Sequence, residues 1–599
     1  NTPEHPQLRI PLDLVWIPAN GGTARLIAAA HGSRYPHFAN DAERIYTTDG
    51  HALYSIRYDG SDQRTHLKLS GRFDARNNSQ PVAEQLIVSP DGRQALALIN
   101  KQVWRIALPQ ADPNLSIDVH ARNPSAIRLT DVGADYLGWS QGGKFITWAV
   151  GSTVYRVATE RSDSVASRAM GMRESAPEVE SFAVNVRVPR AIPTGTVVLR
   201  GASVMPMSAE LGARVLENTD IVIAGNRIVG IGTRGSIEVP SGARIIDLSG
   251  QFVLPGFIDT HAHWAFPSRE LQTPDNWSLR ANLAYGVTAG LDVQSNLGEN
   301  FVYQDMVDTG QTLGTRAFMV GPGVFGINRF KTFETDFQSY QETLAYLRRY
   351  QQHYRAHNLK AYLVGNRQQR QWIVLAAQEL GLMPTTEGFG DPLLAITHAL
   401  DGMHGNEHAM LDSALYADII QTFARTQTSY TPTLNITHYG PSGFEYFFSR
   451  EDLRNDSKLE RFYPRDRLRE LTGRRSAWAH ADEFNFRAMA EQAAKMQRAG
   501  GLVGVGSHGE LQGLGYHWEL QMMEMGGMRP AEILQAATRD GARIIGVEQD
   551  LGSLEVGKLA DLVVLRSNPL QAIGNARAIV YVMQNGVLYD GDTLGVVAQ

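Results

Sequence analysis

Residues 254–263 read Leu-Pro-Gly-Phe-Ile-Asp-Thr-His-Ala-His. A short apolar run opened by Pro-Gly marks a buried strand, and strand side chains alternate between two faces. Asp259, His261 and His263 therefore share a face. Two imidazoles spaced this way can reach one divalent ion at the C-terminal end of the strand. Strand-like and helix-like segments then alternate for about 290 residues, the length of a closed parallel (β/α)8 barrel. The first strand ends at His263, and further strands are expected at 286–294, 316–322, 359–365, 382–388, 402–408, 429–437 and 502–509. An amphipathic helix is expected over 337–356. In such a barrel the residues that do chemistry sit at the C-terminal ends of the strands.

LPGFIDTHAH resembles the first barrel strand of the amidohydrolase superfamily. LGSLEVGKLADLVVL (551–565) and IVYVMQNGVLYDG (579–591) resemble the returning half of that family's small β-sandwich. The first half is expected in GTVVLRGASVMPM and TDIVIAGNRIVGIG, after the Pro-rich linker VPRAIPTG. The resemblance runs from residue 196 to the end. It implies a TIM barrel over 256–547 and a sandwich built from both of its flanks, 188–255 and 548–599.

The resemblance also implies one or two divalent ions, zinc first among them. His261 and His263 match the first-strand ligands, Lys360 the strand-four lysine that is carboxylated and bridges two ions, and His408 the strand-six ligand, with His404 a weaker substitute. Two positions depart from the pattern. Strand five reads Pro384-Thr385-Thr386-Glu387-Gly388 where the family has a histidine, and strand eight reads Gly506-Ser507-His508 where it has an aspartate. Glu387 and His508 are then the expected replacement ligands and proton carriers. A carboxylate binds zinc at about the distance of an imidazole, ~2.0–2.2 Å. A histidine can ligate or act as a base, though not through one nitrogen. Asp259 and Asp292 are expected to support this shell, and Tyr362, His438 and Tyr439 to meet substrate. Glu510, His517 and Glu519 are candidate proton carriers, though GELQGLGYHWEL reads first as the opening of the last barrel helix.

The first third differs. Segments beginning at Tyr35, Gln85 and Tyr136 align, with Phe38, Val88 and Trp139 in one slot, 50 and then 51 residues apart. Strands and tight turns repeating at that period read as propeller blades, and the segments resemble those of TolB-like β-propellers. With 12–27 as the end of an earlier blade, residues 1–187 hold a partial propeller of three to four blades. Closed propellers use 4–8. A preceding segment or a second chain is therefore expected to complete the ring, possible homo-oligomers included.

The chain has no cysteine, so thiolate metal sites and cysteine nucleophiles are excluded. A net charge of −6 argues against a nucleic-acid partner. No apolar run approaches the ~18 residues of a membrane helix. The chain opens on Asn1 without a signal-like apolar run, and with the absent cysteine this reads as a processed periplasmic or secreted protein.

The function expected is a metal-dependent hydrolase that cleaves amide bonds, peptide-like or N-acyl, through a metal-activated hydroxide. Its substrates would be small molecules or short peptides, admitted past the propeller. Deamination or lactone and cyclic-amide hydrolysis is the first alternative. Deaminases of this frame keep the strand-five histidine and strand-eight aspartate and lack the lysine, so Lys360, Glu387 and His508 oppose it. The second alternative is a binding protein with a degenerate site.

Overall fold

The computed structural model describes residues 13–29, 34–70, 83–99, 101–108, 116–118, 125–162, 179–265, 273–295, 301–325, 337–362, 365–388, 390–410, 414–436, 440–473 and 479–599. The strand Phe257–Ala262 is buried at every position, as a parallel strand covered by helices must be. It pairs in parallel with Val287–Asp292, which pairs with Arg316–Met319. A second parallel run joins Val324–Phe325, Asn358–Tyr362, Met383–Glu387, Gly405–Glu407 and Ser429–Thr431. The segment from Leu502 to His508 closes the ring between the seventh strand and the first. Tyr430 N–H donates to Leu502 O (2.8 Å) and Gly504 N–H to Tyr430 O (3.0 Å). Thr260 N–H donates to Val505 O (2.8 Å) and His508 N–H to His261 O (2.9 Å).

Several elements differ from the sequence reading, each for a local reason. The third strand is split, because the chain turns at Gly321, with φ 73°, and Pro322; only Val324–Phe325 pairs onward to the fourth. The seventh strand stops at Thr431. Pro432 has no N–H to give, Thr433 has φ 48°, and Leu434–Ile436 form a 3-10 turn. The eighth makes one ladder bridge, Tyr430 to Val503, in place of a strand over 502–509. The helix expected over 337–356 is an α-helix at Tyr340–Arg348 that widens into a π-turn at Arg349–Tyr354.

Glycine makes the barrel's closure possible. A Cβ on Gly506 would lie 2.5 Å from Thr431 Cγ2 and 2.6 Å from His261 Cβ. Gly506→Ala should therefore lower stability by about 1–3 kcal/mol through overpacking and push the His261 ring off its position. Gly574 has open space around it, so Gly574→Ala should stay within about 0.5 kcal/mol. Denaturant unfolding of the two variants checks this, and equal stabilities would refute it.

Strands from both flanks of the barrel lie in one nine-stranded sheet, where Phe252–Pro255 runs antiparallel to Leu562–Leu565. One apolar core, including Val197, Leu199, Ile221, Val253, Leu562 and Val564, fills it. The two flanks are thus in hydrogen-bonded continuity.

The N-terminal region is rich in strands. Gln85–Val88, Gln94–Ile99, Gln102–Ala107 and Ala126–Arg128 form one antiparallel meander, and Tyr136–Ser140, Phe145–Val150, Thr153–Ala158 and Glu180–Ala183 form another. Arg34–His37, Arg44–Thr48, Ala52–Arg57 and Arg64–Ser70 form a third, to which Ser116–Asp118 adds in parallel. The first strands of successive sheets are tied together. Val88 N–H donates to His37 Nε2 (2.9 Å), and the Gln85 amide exchanges two 3.2 Å bonds with the Leu137 backbone. This arrangement is consistent with a propeller-like domain. Among the described residues no helix is long and apolar enough to cross a membrane.

Candidate active site

His261 is the next-to-last residue of the first barrel strand, His263 lies just past its end, and His508 follows the closing segment. One ligand-capable atom of each lies within 4.8 Å of the others. The rings of His263 and His508 are 4.6 Å apart, and that of His408 is 4.7 Å from His261. His408 and His508 both adopt left-handed backbone, φ 70° and 61°. Non-glycine residues hold that conformation at a cost, and such positions concentrate at functional sites.

Two of the three clustered histidines have a carboxylate hydrogen-bonded at Nδ1, and the third has one nearby. Glu407 Oε2 is 2.7 Å from His261 Nδ1, Glu510 Oε1 is 3.2 Å from His508 Nδ1, and Asp292 Oδ1 is 3.5 Å from His263 Nδ1. His261 Nε2 is buried with no hydrogen-bond partner. Burial and the neighbouring His408 and Lys360 hold the His261 pKa well below its ordinary value. The ring is therefore neutral, the form a metal ligand needs. Three imidazoles backed by carboxylates fit a divalent ion such as zinc.

Lys360, Glu387 and His408 form a second group against the first. Lys360 Nζ donates to Glu387 Oε1 at 2.8 Å, and His408 Nε2 approaches the same oxygen at 3.1 Å. His408 Nδ1 is 2.7 Å from Thr433 Oγ1. Burial alone would raise the Glu387 pKa, but Lys360 and His408 hold it well below the usual carboxylate range. Burial pushes Glu407 up to about 7, against the pull of Lys360 and the Thr385 hydroxyl that donates to it. Asp259 is pushed up to about 6 by burial. It accepts the Ser507 hydroxyl (2.5 Å) and the Ser507 and His261 N–H groups (3.1 Å each), and so ties the first strand to the closing segment.

The structure thus brings together His261, His263, Lys360, Glu387, His408 and His508. Tyr362 is near them, its ring 5.5 Å from Lys360 Nζ. His438 and Tyr439 lie outside the described residues. His404 points elsewhere, its Nε2 2.9 Å from Ile544 O. His517 and Glu519 lie on the helix Leu514–Met525. Glu519 accepts the Leu434 and Asn435 N–H groups (2.6 and 3.0 Å), bracing the turn after the seventh strand.

Sequence reasoning missed Glu407 and gave Glu510 no role at the histidines. Strict alternation would send Glu407 to the face opposite His408, but the left-handed turn at His408 brings both to His261. Glu510 carried a local signal: it stands two residues after His508 in a turn.

Residues 470–589 match the amidohydrolase family. The 5-methylthioadenosine/S-adenosylhomocysteine deaminase of Symbiobacterium thermophilum is 24% identical over 410 residues, covering 62% of this chain and 85% of that protein. A Xaa-Pro dipeptidase with methionine bound in its active site superposes with a TM-score of 0.50 at 20% identity, over 66% of this chain and 100% of its own. Phenylurea hydrolase B does so with a TM-score of 0.52 at 19% identity, over 67% and 98%. Over residues 470–589 this chain is thus similar to the amidohydrolase family, and its barrel shares the fold of these solved structures.

Proposed function

We propose that this protein hydrolyses amide-type C–N bonds in small substrates, short peptides or N-acyl amino acids among them, with one divalent ion held by His261, His263 and His508. The observation that carries this reading is the His261 ring, buried and neutral, with Nδ1 on Glu407 and Nε2 unpartnered toward two further histidines. A divalent ion bound there supplies Lewis acidity and makes water a nucleophile near neutral pH. The protein's own groups then orient and move protons. Glu387, held ionised and well below the usual carboxylate range by Lys360 and His408, is a weak base suited to orienting a donor such as the attacking water, and His408 Nε2 and Lys360 Nζ are the donors that hold it.

A carboxylated Lys360 would set an anion against Glu387, so that modification would call for a second ion to offset the charge. A protonated Lys360 goes with a single ion. The strand-rich N-terminal region would limit access to compact or extended substrates. The absence of cysteine supports a periplasmic or secreted setting.

A deaminase reading is supported by the sequence relative, whose name states that activity. Both reactions hydrolyse a C–N bond, so one experiment separates them. Protein purified without chelators is analysed for metal per chain, then assayed with dipeptides, N-acyl amino acids and aminopurine nucleosides. We expect one divalent ion per chain and amine release from the amide panel. Ammonia release from the nucleosides alone would favour the deaminase. Failure to take up any ion would overturn the enzymatic reading in favour of a binding protein.

A further inference from the structure

We propose that Glu407 and Glu510 are positioning residues that decide which nitrogen His261 and His508 offer to the ion, with Asp292 as a nearby charge 3.5 Å from His263 Nδ1. This rests on the metal reading above and extends it to side chains that are not ligands in it. A neutral imidazole has two tautomers, and only the nitrogen without hydrogen can bind a cation. In a site of three histidines, any ring in the wrong tautomer aims an N–H at the ion. A carboxylate on the Nδ1 side fixes the hydrogen there and leaves Nε2 for the metal.

The three carboxylates come from separate parts of the barrel, and Glu407 and Asp292 accept further hydrogen bonds there. Glu407 ends the sixth strand and takes the Thr385 hydroxyl on its other oxygen. Asp292 ends the second strand and accepts Trp264 N–H (3.2 Å) and Gln294 N–H (3.0 Å). Glu510 lies in the turn that leaves the closing segment, and its side chain is buried. His261 and His508 are thus each held at Nδ1, one by strand six and the other by the residue two places beyond His508. The strand-eight departure acquires a partner: where His508 stands in place of an aspartate, Glu510 supplies the carboxylate one step further out.

The test is metal affinity, measured apart from turnover. Zinc binding by wild type, Glu510→Gln and Glu510→Ala is measured by competition with a chromophoric chelator. Cobalt(II) spectra of each report ligand geometry, and melting of the metal-free proteins checks that each is folded. Glu510→Ala should bind zinc about 10–100-fold more weakly with an altered cobalt spectrum. Glu510→Gln, which keeps an acceptor oxygen without the charge, should fall between. A wild type that binds zinc while both variants bind equally tightly overturns this proposal alone. A wild type that binds no zinc or cobalt overturns the metal reading and this proposal with it.

Discussion

Replacing His508 with alanine should strip the divalent ion from the purified protein and lower turnover by at least about 10²–10⁴-fold, the range of a lost catalytic acid or base. The sequence left two roles open for this residue, ligand and base, and the geometry favours the first. His508 lies edge-to-face against His263 with ring centroids 4.6 Å apart, and its Nδ1 is engaged by Glu510. A base would lose its proton-transfer step and leave the ion in place; a ligand takes the ion with it. Metal per chain after dialysis against metal-free buffer therefore separates the roles, whatever the activity does. The backbone at His508 is left-handed, φ 61°, and alanine tolerates that less well than asparagine. His508→Asn is the companion variant, with the same expected loss of metal and less strain. Full metal retention in both, with activity lost, would reassign His508 as the base.

The sequence disclosed the barrel through its strand order and the HxH motif, because both depend on local alternation that survives folding intact. His261 and His263 were legible for the same reason, whereas Lys360, Glu387, His408 and His508 were reached through the resemblance of their strands to the amidohydrolase pattern. What stayed hidden depends on backbone departures. Glu407 and His408 cooperate only because the chain turns left-handed between strand and loop. The eighth strand looked like a ladder in sequence. Its inward packing against Thr260, Thr431 and His261 replaces most of the ladder, and the glycines at 504 and 506 are the visible trace of that approach. The π-turn at 349–354 had no periodic signature, since a single wide turn barely shifts the helical pattern.

That π-turn carries the second large effect. Arg349 is fully buried, although it belongs to the helical layer of the barrel, and its guanidinium reaches into the N-terminal sheets. Nε and Nη2 donate to Val132 O (3.0 and 2.5 Å), and Nη2 also approaches Lys101 O (3.4 Å). The guanidinium lies 4.7 Å over the Tyr346 ring. Gly133 makes the approach possible, since a Cβ there would fall 2.0 Å from Arg349 Nη2. One helical turn further on, Tyr354 donates its hydroxyl to Asp135, and Tyr350 donates to Pro322 O at the break in the third strand. Arg349→Ala leaves Val132 O without its donors, at about 1–3 kcal/mol, while Lys101 O keeps the Ala134 N–H (2.6 Å). The strand-rich region should then melt in a transition of its own, and protease should cut the exposed stretch at 184–190. Lysine cannot reproduce the forked donor, so Arg349→Lys should recover less than half of the loss. The half-exposed rim pair Arg128–Glu342, at 3.0 Å, should matter far less, with Arg128→Ala costing under about 1 kcal/mol. Zinc affinity at the three histidines should be unchanged in Arg349→Ala, because the contact acts on the union of the two regions and not on the ligand rings. A single unshifted melting transition and an intact 184–190 stretch in that variant would show that other contacts hold the regions together.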